Sequence, residues 1–224
     1  MHNAAFHHAE HIVHDIWTYY FTLPPGYSYI AGQYAELAAT HDKPDSRGTH
    51  RVLTFSSSPT EDLLAVTFKI PEDCSSYKIA LQRLKPGDIV RITEPMGDLV
   101  LPIQQETPLV FVAGGLGIAS FRGMLKYLTD KSLHQPITLH YVLRDPKEKI
   151  FLDVIDASPA KLHSYEPGSP RLNTQHMLQN TTPDTIFYIS GSQTFTLGAR
   201  DILAQSGVPT TQIVFDYYDG YAEL

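Results

Sequence analysis

Residues 108–118 read PLVFVAGGLGI, and this stretch decides the fold. The unbroken apolar run from Leu109 to Ala113 is what a strand buried on both faces requires, and such strands belong to parallel sheets covered by helices. Gly114, Gly115 and Gly117 follow, where the backbone can turn sharply and approach a phosphate closely. Glycines also serve tight strand-to-helix packing alone, so the motif by itself leaves both readings open. Beyond the turn, Phe121, Met124, Leu125 and Leu128 recur at the spacing of one helix face.

The same texture continues downstream. ITLHYVL (137–143), TIFYIS (185–190) and QIVFDYY (212–218) read as strands, and TLGARDILAQSG (196–207) as a helix closed by Gly207. The alternation predicts a parallel sheet with right-handed crossovers. Upstream the texture differs. IVHDIWTYYFTL (12–23), QYAELAA (33–39), HRVLTFSS (50–57), LLAVTFKI (63–70) and DIVRIT (88–93) are short β-favouring runs divided by Pro, Gly, Asp and Ser, which predicts a small antiparallel barrel. One helix interrupts them: Ser75 and Ser76 are N-cap candidates, YKIALQRL (77–84) supplies the apolar face, and Lys85-Pro86-Gly87-Asp88 stops it. The fold class expected is all-β plus α/β. A polar hinge near Ile103 to Glu106 divides the chain into domains 1–103 and 104–224.

Composition narrows the function. The chain has 224 residues, room for two domains of about 100 each. Its single cysteine, Cys74, excludes an internal disulfide, a four-cysteine zinc site and a self-contained iron–sulfur cluster, so redox chemistry would need an organic cofactor. A net charge of -7 works against nucleic acid as a partner. The nearly apolar stretch 108–121 is shorter than the roughly 20 residues of a spanning helix, and no signal or transit segment is visible, so the expected address is cytoplasmic. His7, His8, His11 and His14 crowd the start of the chain. Glu10-His11 has the wrong order for a zinc-binding His-Glu-x-x-His helix, and a solvated strand or terminus without metal is expected.

Arg51-Val52-Leu53-Thr54-Phe55-Ser56-Ser57-Ser58-Pro59 places a permanent cation and several hydroxyls in one strand and its exit. Arginine suits phosphate, and hydroxyls suit the edge of a heteroaromatic ring; a polar strand end with a serine-rich turn is the plainer alternative. The order of the pieces adds information. Arg51-x-x-Thr54-x-x-Ser57-x-Pro59, Ser75-Ser76-Tyr77-Lys78, Pro95-x-Gly97, Ala113 to Ile118, Ser190-Gly191-Ser192 and Asp216-Tyr217-Tyr218-x-Gly220-Tyr221 together resemble the ferredoxin-NADP reductase family, in its compact bacterial form without a fused ferredoxin domain.

The resemblance implies an N-terminal antiparallel flavin-binding β-barrel and a C-terminal parallel-sheet nucleotide-binding domain. FAD would be the cofactor, NADPH or NADH the cosubstrate, and ferredoxin, flavodoxin or a small molecule the external acceptor. Arg51, Ser75 and Ser76 match the positions that hold the flavin diphosphate. Thr54 matches the hydroxyl near flavin N5, and Leu53, Phe55, Ser56 and Ser57 complete that segment. Gly114, Gly115 and Gly117 match the turn that receives the pyridine nucleotide. Ser190 and Asp216 join Thr54 as implied catalytic positions, with Tyr218 and Tyr221 in the C-terminal signature. Arg144, Lys147 and Lys149 follow a strand where a 2'-phosphate would be read. Three departures accompany the match. Leu53 stands where the family has Tyr or Phe on the flavin ring, Ala119-Ser120 replaces Thr-Pro, and Ser190-Gly191-Ser192 replaces Cys-Gly-Pro. They motivate an alternative: a flavin-loaded binding or regulatory electron-transfer subunit with weak or no NAD(P)H activity.

Overall fold

A computed structural model describes residues 1–42, 44 and 48–218. The chain divides into two compact units, Met1–Val100 and Leu101–Leu224. The first unit contains β1 (His2–Val13), β2 (Ile16–Thr22), β3 (Tyr34–Ala38), β4 (His50–Thr54), β5 (Leu63–Lys69), helix α1 (Ser76–Gln82) and β6 (Ile89–Ile92). The strands form one six-stranded sheet in the order β4-β3-β6-β1-β2-β5, and all its pairings are antiparallel. A single bridge from Phe55 to Val66 links the exit of β4 to β5, so the two outer strands of this barrel-like sheet meet there.

Two expectations about this unit need correction. The strands begin at His2, not near Ile12, because the histidine-rich start pairs with both β2 and β6. The run 12–23 is not one strand: Val13 faces Ile16 across the two-residue loop His14–Asp15, with His14 in the left-handed region at φ 49°. Helix α1 starts where the serines suggested, but Ser75 makes no side-chain cap bond.

The core of the first unit is aromatic. Phe6, Tyr19, Phe21, Tyr27, Tyr29, Phe55, Phe68 and Tyr77 are buried together with Leu37, Leu64, Val66 and Ile92. Strand β5 is buried on both faces, which strands a polar residue, Thr67, in the interior. Its hydroxyl is satisfied by a chain: Thr18 Oγ1 to Thr67 Oγ1 at 2.9 Å, and Thr67 Oγ1 donating to Ser56 Oγ at 2.8 Å.

The second unit contains β7 (Leu109–Gly114), a 3-10 turn (Gly115–Gly117), α2 (Ile118–Asp130), β8 (Ile137–Val142), α3 (Leu152–Ala157), β9 (Ala160–Tyr165), α4 (Thr174–Leu178), β10 (Ile186–Ser192), α5 (Gln193–Gln205) and β11 (Ile213–Tyr218). The sheet is parallel, in the order β11-β10-β7-β8-β9. Its central strand β7 explains the apolar run. Phe111 stacks on Phe121 of α2 with ring centroids 4.5 Å apart, while Val110 and Val112 join Met177, Ala199 and Leu203 from α4 and α5 on the other face. The helix stripe Phe121, Met124, Leu125 and Leu128 is wholly buried. Elements α3, β9 and α4 had no counterpart in the sequence reading. Among the described residues, no helix is long and apolar enough to cross a membrane.

Candidate functional site

Strand β4 carries Arg51 to the side of α1. The guanidinium lies 4.8 Å from the centre of the Tyr77 ring and donates from Nη1 to the carbonyls of Gly48 (3.0 Å) and His50 (2.7 Å). His41 completes the cluster: its Nδ1 is 2.9 Å from Ser76 Oγ, and its Nε2 is 3.3 Å from the Gly48 carbonyl. Tyr77 is the floor, buried, with its hydroxyl donating to the Leu37 carbonyl at 2.8 Å. Burial pushes the Tyr77 phenol far up, while the Arg51 charge opposes that rise, so the ring stays neutral beside the cation. A permanent cation, an imidazole and a hydroxyl thus converge from three segments, a donor set suited to phosphate oxygens. His41 was missed by sequence reasoning. It belongs to no motif, and only folding brings position 41 beside positions 51 and 76.

The exit of β4 is an internally satisfied turn. Thr54 is 5% exposed, and Ser56, Ser57 and Ser58 are buried. Ser57 Oγ lies 2.7 Å from the Tyr29 hydroxyl and accepts from the Ala65 amide at 2.8 Å, while the Ser58 amide donates to Glu61 Oε2 at 2.7 Å. Phe55 is a core residue, edge-on to Tyr29 at 4.7 Å. Leu53 is partly buried against the same core. Ser75 is half-buried beside Ser76.

In the second unit the sheet changes direction of winding between β7 and β10, the place where open α/β sheets leave a crevice beyond their strand ends. The glycine turn and Ser190-Gly191-Ser192 both lie there. The reason for glycine differs by position. A Cβ on Gly117 would lie 2.0 Å from the Ser190 carbonyl oxygen, and one on Gly114 would lie 2.5 Å from the Phe195 ring. These two glycines permit close packing of the turn on β10 and α5. Gly115 is different: φ is +52° and a Cβ would meet nothing within 4 Å, so its backbone is open to an incoming group. Sequence reasoning did not single out Phe195, whose fit depends on the missing side chains at positions 114 and 191.

Ser190 sits in register with Ala113 on one side and Asp216 on the other. Its hydroxyl is 3.2 Å from that of Ser120, and both residues are fully buried. Ser192 caps α5 by accepting from the Phe195 amide at 3.4 Å. The backbone of Tyr218 pairs with Ser192; Tyr221 lies outside the described residues. Arg144 and Lys147 are exposed beyond β8, whereas Lys149 pairs with Glu166 at 3.3 Å. Away from this end, His140 of β8 is 3% exposed, with Nδ1 2.9 Å from the Tyr165 hydroxyl and His163 stacked on it at 5.5 Å. Among the described residues, no group of three or more His, Cys, Asp or Glu is placed to hold a metal.

No protein-family model matches the chain. Relatives do. NADH oxidoreductase HCR of Escherichia coli K12 is 26% identical over 148 residues, covering 66% of this chain and 45% of that protein. The ferredoxin reductase component of 3-ketosteroid-9-alpha-monooxygenase from Mycobacterium tuberculosis H37Rv is 28% identical over 200 residues, 85% of this chain and 55% of that protein. The ferredoxin NADP+ reductase of Neisseria gonorrhoeae, solved with bound FAD and NADP, superposes with a TM-score of 0.77 at 20% identity, covering 96% of this chain and 97% of that one. The FAD/NAD binding domain of nitric oxide dioxygenase from Vibrio cholerae gives 0.79 at 18% identity, covering 97% and 98%. The chain shares its fold with these ferredoxin NADP+ reductase and FAD/NAD binding domain structures. It spans about half the length of the curated relatives it matches. Within this ferredoxin-NADP reductase-like fold, the first unit is the antiparallel sheet that carries Arg51, and the second is the parallel sheet that carries the glycine turn.

Proposed function

We propose that this chain is an FAD-dependent oxidoreductase that moves hydride between NAD(P)H and flavin and passes electrons to an external acceptor such as a ferredoxin or flavodoxin. The observation that carries the reading is the convergence of Arg51, His41, Ser76 and Tyr77 in a unit whose chain continues into a glycine turn at a parallel-sheet switch point. The donor set fits a diphosphate, and the open backbone at Gly115 fits a second nucleotide. FAD, when bound, supplies two-electron acceptance and one-electron release.

The chain's own residues bind and orient. Arg51 and Ser76 would hold the diphosphate, with His41 positioning the Ser76 hydroxyl and Ser75 beside it. Thr54 would present a hydroxyl to the flavin edge, on a strand exit made rigid by the bonds of Ser56 and Ser57. Phe55 would support that exit from the core, and Leu53 would cover the ring with an aliphatic surface. Gly115 would admit the pyridine nucleotide between Gly114 and Gly117. Ser190, tied to Ser120 and flanked by Asp216, would line the nicotinamide side, and Tyr218 and Tyr221 are assigned to cofactor binding on the resemblance alone. Residues 1–103 form the flavin domain and 104–224 the nucleotide domain on this reading. Arg144 and Lys147, exposed beyond β8, favour NADPH over NADH on this reading, with Lys149 paired to Glu166 behind them in the sequence. Dependence on a pyridine nucleotide pool accords with a cytoplasmic address.

The test is the visible spectrum of the purified chain with FAD, before and after anaerobic addition of NADPH and of NADH. Bleaching supports the enzyme. A bound flavin that neither nucleotide reduces would support the binding or regulatory subunit instead, and a protein that stays colourless after reconstitution sinks both.

A further inference from the structure

Strand β1 carries His7 and His8 in succession, and in a regular strand their side chains would leave on opposite faces. The register with β2 prevents this. Phe6 faces Phe21 and His8 faces Tyr20, so His7 is the extra residue of a β-bulge. Their ring planes cross at 73°, and the two Nδ1 atoms lie 2.8 Å apart. Between two neutral imidazoles at that distance, one Nδ1 carries the proton and the other is a bare lone pair.

The surroundings assign the lone pair to His8. Its ring lies flat on Tyr20, with centroids 4.3 Å apart and planes 1° from parallel. Its Nε2 faces Glu10 Oε1 at 3.9 Å, and the Tyr20 hydroxyl donates to Glu10 Oε2 at 2.9 Å. At 3.9 Å the carboxylate lies beyond hydrogen-bond reach of Nε2, and its negative charge still favours the tautomer that carries the proton there and leaves Nδ1 basic.

The geometry points to a two-histidine site for a divalent copper or nickel ion, with His7 Nδ1 and His8 Nδ1 as ligands and Glu10 as the carboxylate behind His8. Metal–imidazole bonds of about 2.0–2.1 Å at a right angle set the nitrogens roughly 2.9 Å apart, close to the spacing in this bulge. A right angle is the tetragonal arrangement of Cu(II) and Ni(II), and copper binds nitrogen ligands more tightly. The His7 proton moves from Nδ1 to Nε2, so the pair stays neutral. The side chains of His8 and Glu10 are 40% and 53% exposed, so the ion enters from solvent and water fills its other positions.

The experiment titrates Cu(II) into the full chain at neutral pH in a non-coordinating buffer. It is followed by electron paramagnetic resonance and by the fluorescence of Trp17, the single tryptophan, which lies on the same hairpin. One copper per chain with splitting from two nitrogens is expected. His7→Ala and His8→Ala should each lose that signature and bind at least tenfold more weakly, and Glu10→Gln, which removes only a solvent-screened charge, should weaken binding by less than either. His11→Ala should leave it unchanged, because His11 Nε2 already bonds the His14 carbonyl at 2.7 Å. Circular dichroism verifies that each variant keeps its fold. An unchanged copper spectrum in the His7→Ala/His8→Ala double variant overturns the site, as does failure of the natural chain to bind copper stoichiometrically.

Discussion

Ser120 and Ser190 share a hydrogen bond of 3.2 Å between their hydroxyls, with neither residue exposed. The contact ties the first turn of α2 to β10, next to the switch point of the sheet. It also holds the Ser190 oxygen at the position where the resemblance places a thiol. Ser190→Cys should restore a soft, polarizable group there and speed flavin reduction by NADPH or NADH several-fold in anaerobic stopped flow. The exchange should shift stability by about 1 kcal/mol or less. An unchanged rate would remove Ser190 from the hydride step.

Arg51 should dominate flavin affinity. A charge-assisted hydrogen bond contributes about 1.5–3 kcal/mol, so Arg51→Ala should weaken FAD roughly tenfold to a hundredfold, measured by recovery of flavin fluorescence. Arg51→Lys should recover part of this, since a point charge replaces a bidentate fork. His41→Ala should weaken FAD less, because His41 reaches the site through Ser76. Equal affinity in all three variants would place the diphosphate elsewhere.

Gly117 and Gly115 should respond oppositely to alanine. At Gly117 the new Cβ would sit 2.0 Å from a backbone oxygen that no rotamer can move, so Gly117→Ala should cost about 3 kcal/mol or more. At Gly115 the Cβ meets open space, and only the left-handed backbone at φ +52° resists it, a cost of about 1–2 kcal/mol. Gly115→Ala should therefore fold and still weaken the pyridine nucleotide. Urea unfolding together with nucleotide titration separates the two effects.

Stability should fall on mild acidification. Burial, reinforced by His163 and His176, holds His140 down at about 4, against an ordinary value of 6.5. As pH drops, the unfolded chain takes up this proton first. The contribution is complete above pH 6.5 and is lost progressively down to about pH 4, amounting to about 3 kcal/mol. His163 is lowered as well, chiefly by burial, and adds in the same direction. Urea midpoints from pH 7.5 to 4.5 should show the loss, and His140→Gln should flatten it. A variant with the natural slope would assign the effect to other groups.

Much of the fold was legible because its signals are local. The apolar run at Leu109 to Ala113, the helix stripe from Phe121 to Leu128 and the β-favouring runs between turn residues each lie within a dozen consecutive residues. Short elements were not legible: α3 and α4 span six and five residues, too few for a periodicity to stand out. The bulge at His7 escaped for a different reason, since a register shift exists only relative to the partner strand.

By itself the sequence determined the two architectural halves and the order of Arg51, the glycine turn and the C-terminal strands, because hydrophobic period and turn chemistry are written residue by residue. Only the tertiary structure decided what those residues touch. His41 reaches Ser76 across 35 positions, Ser120 reaches Ser190 across 70, and Gly117 is held to glycine by the carbonyl of Ser190. Contacts between distant positions depend on how strands and helices pack, and nothing in the spacing along the chain records them.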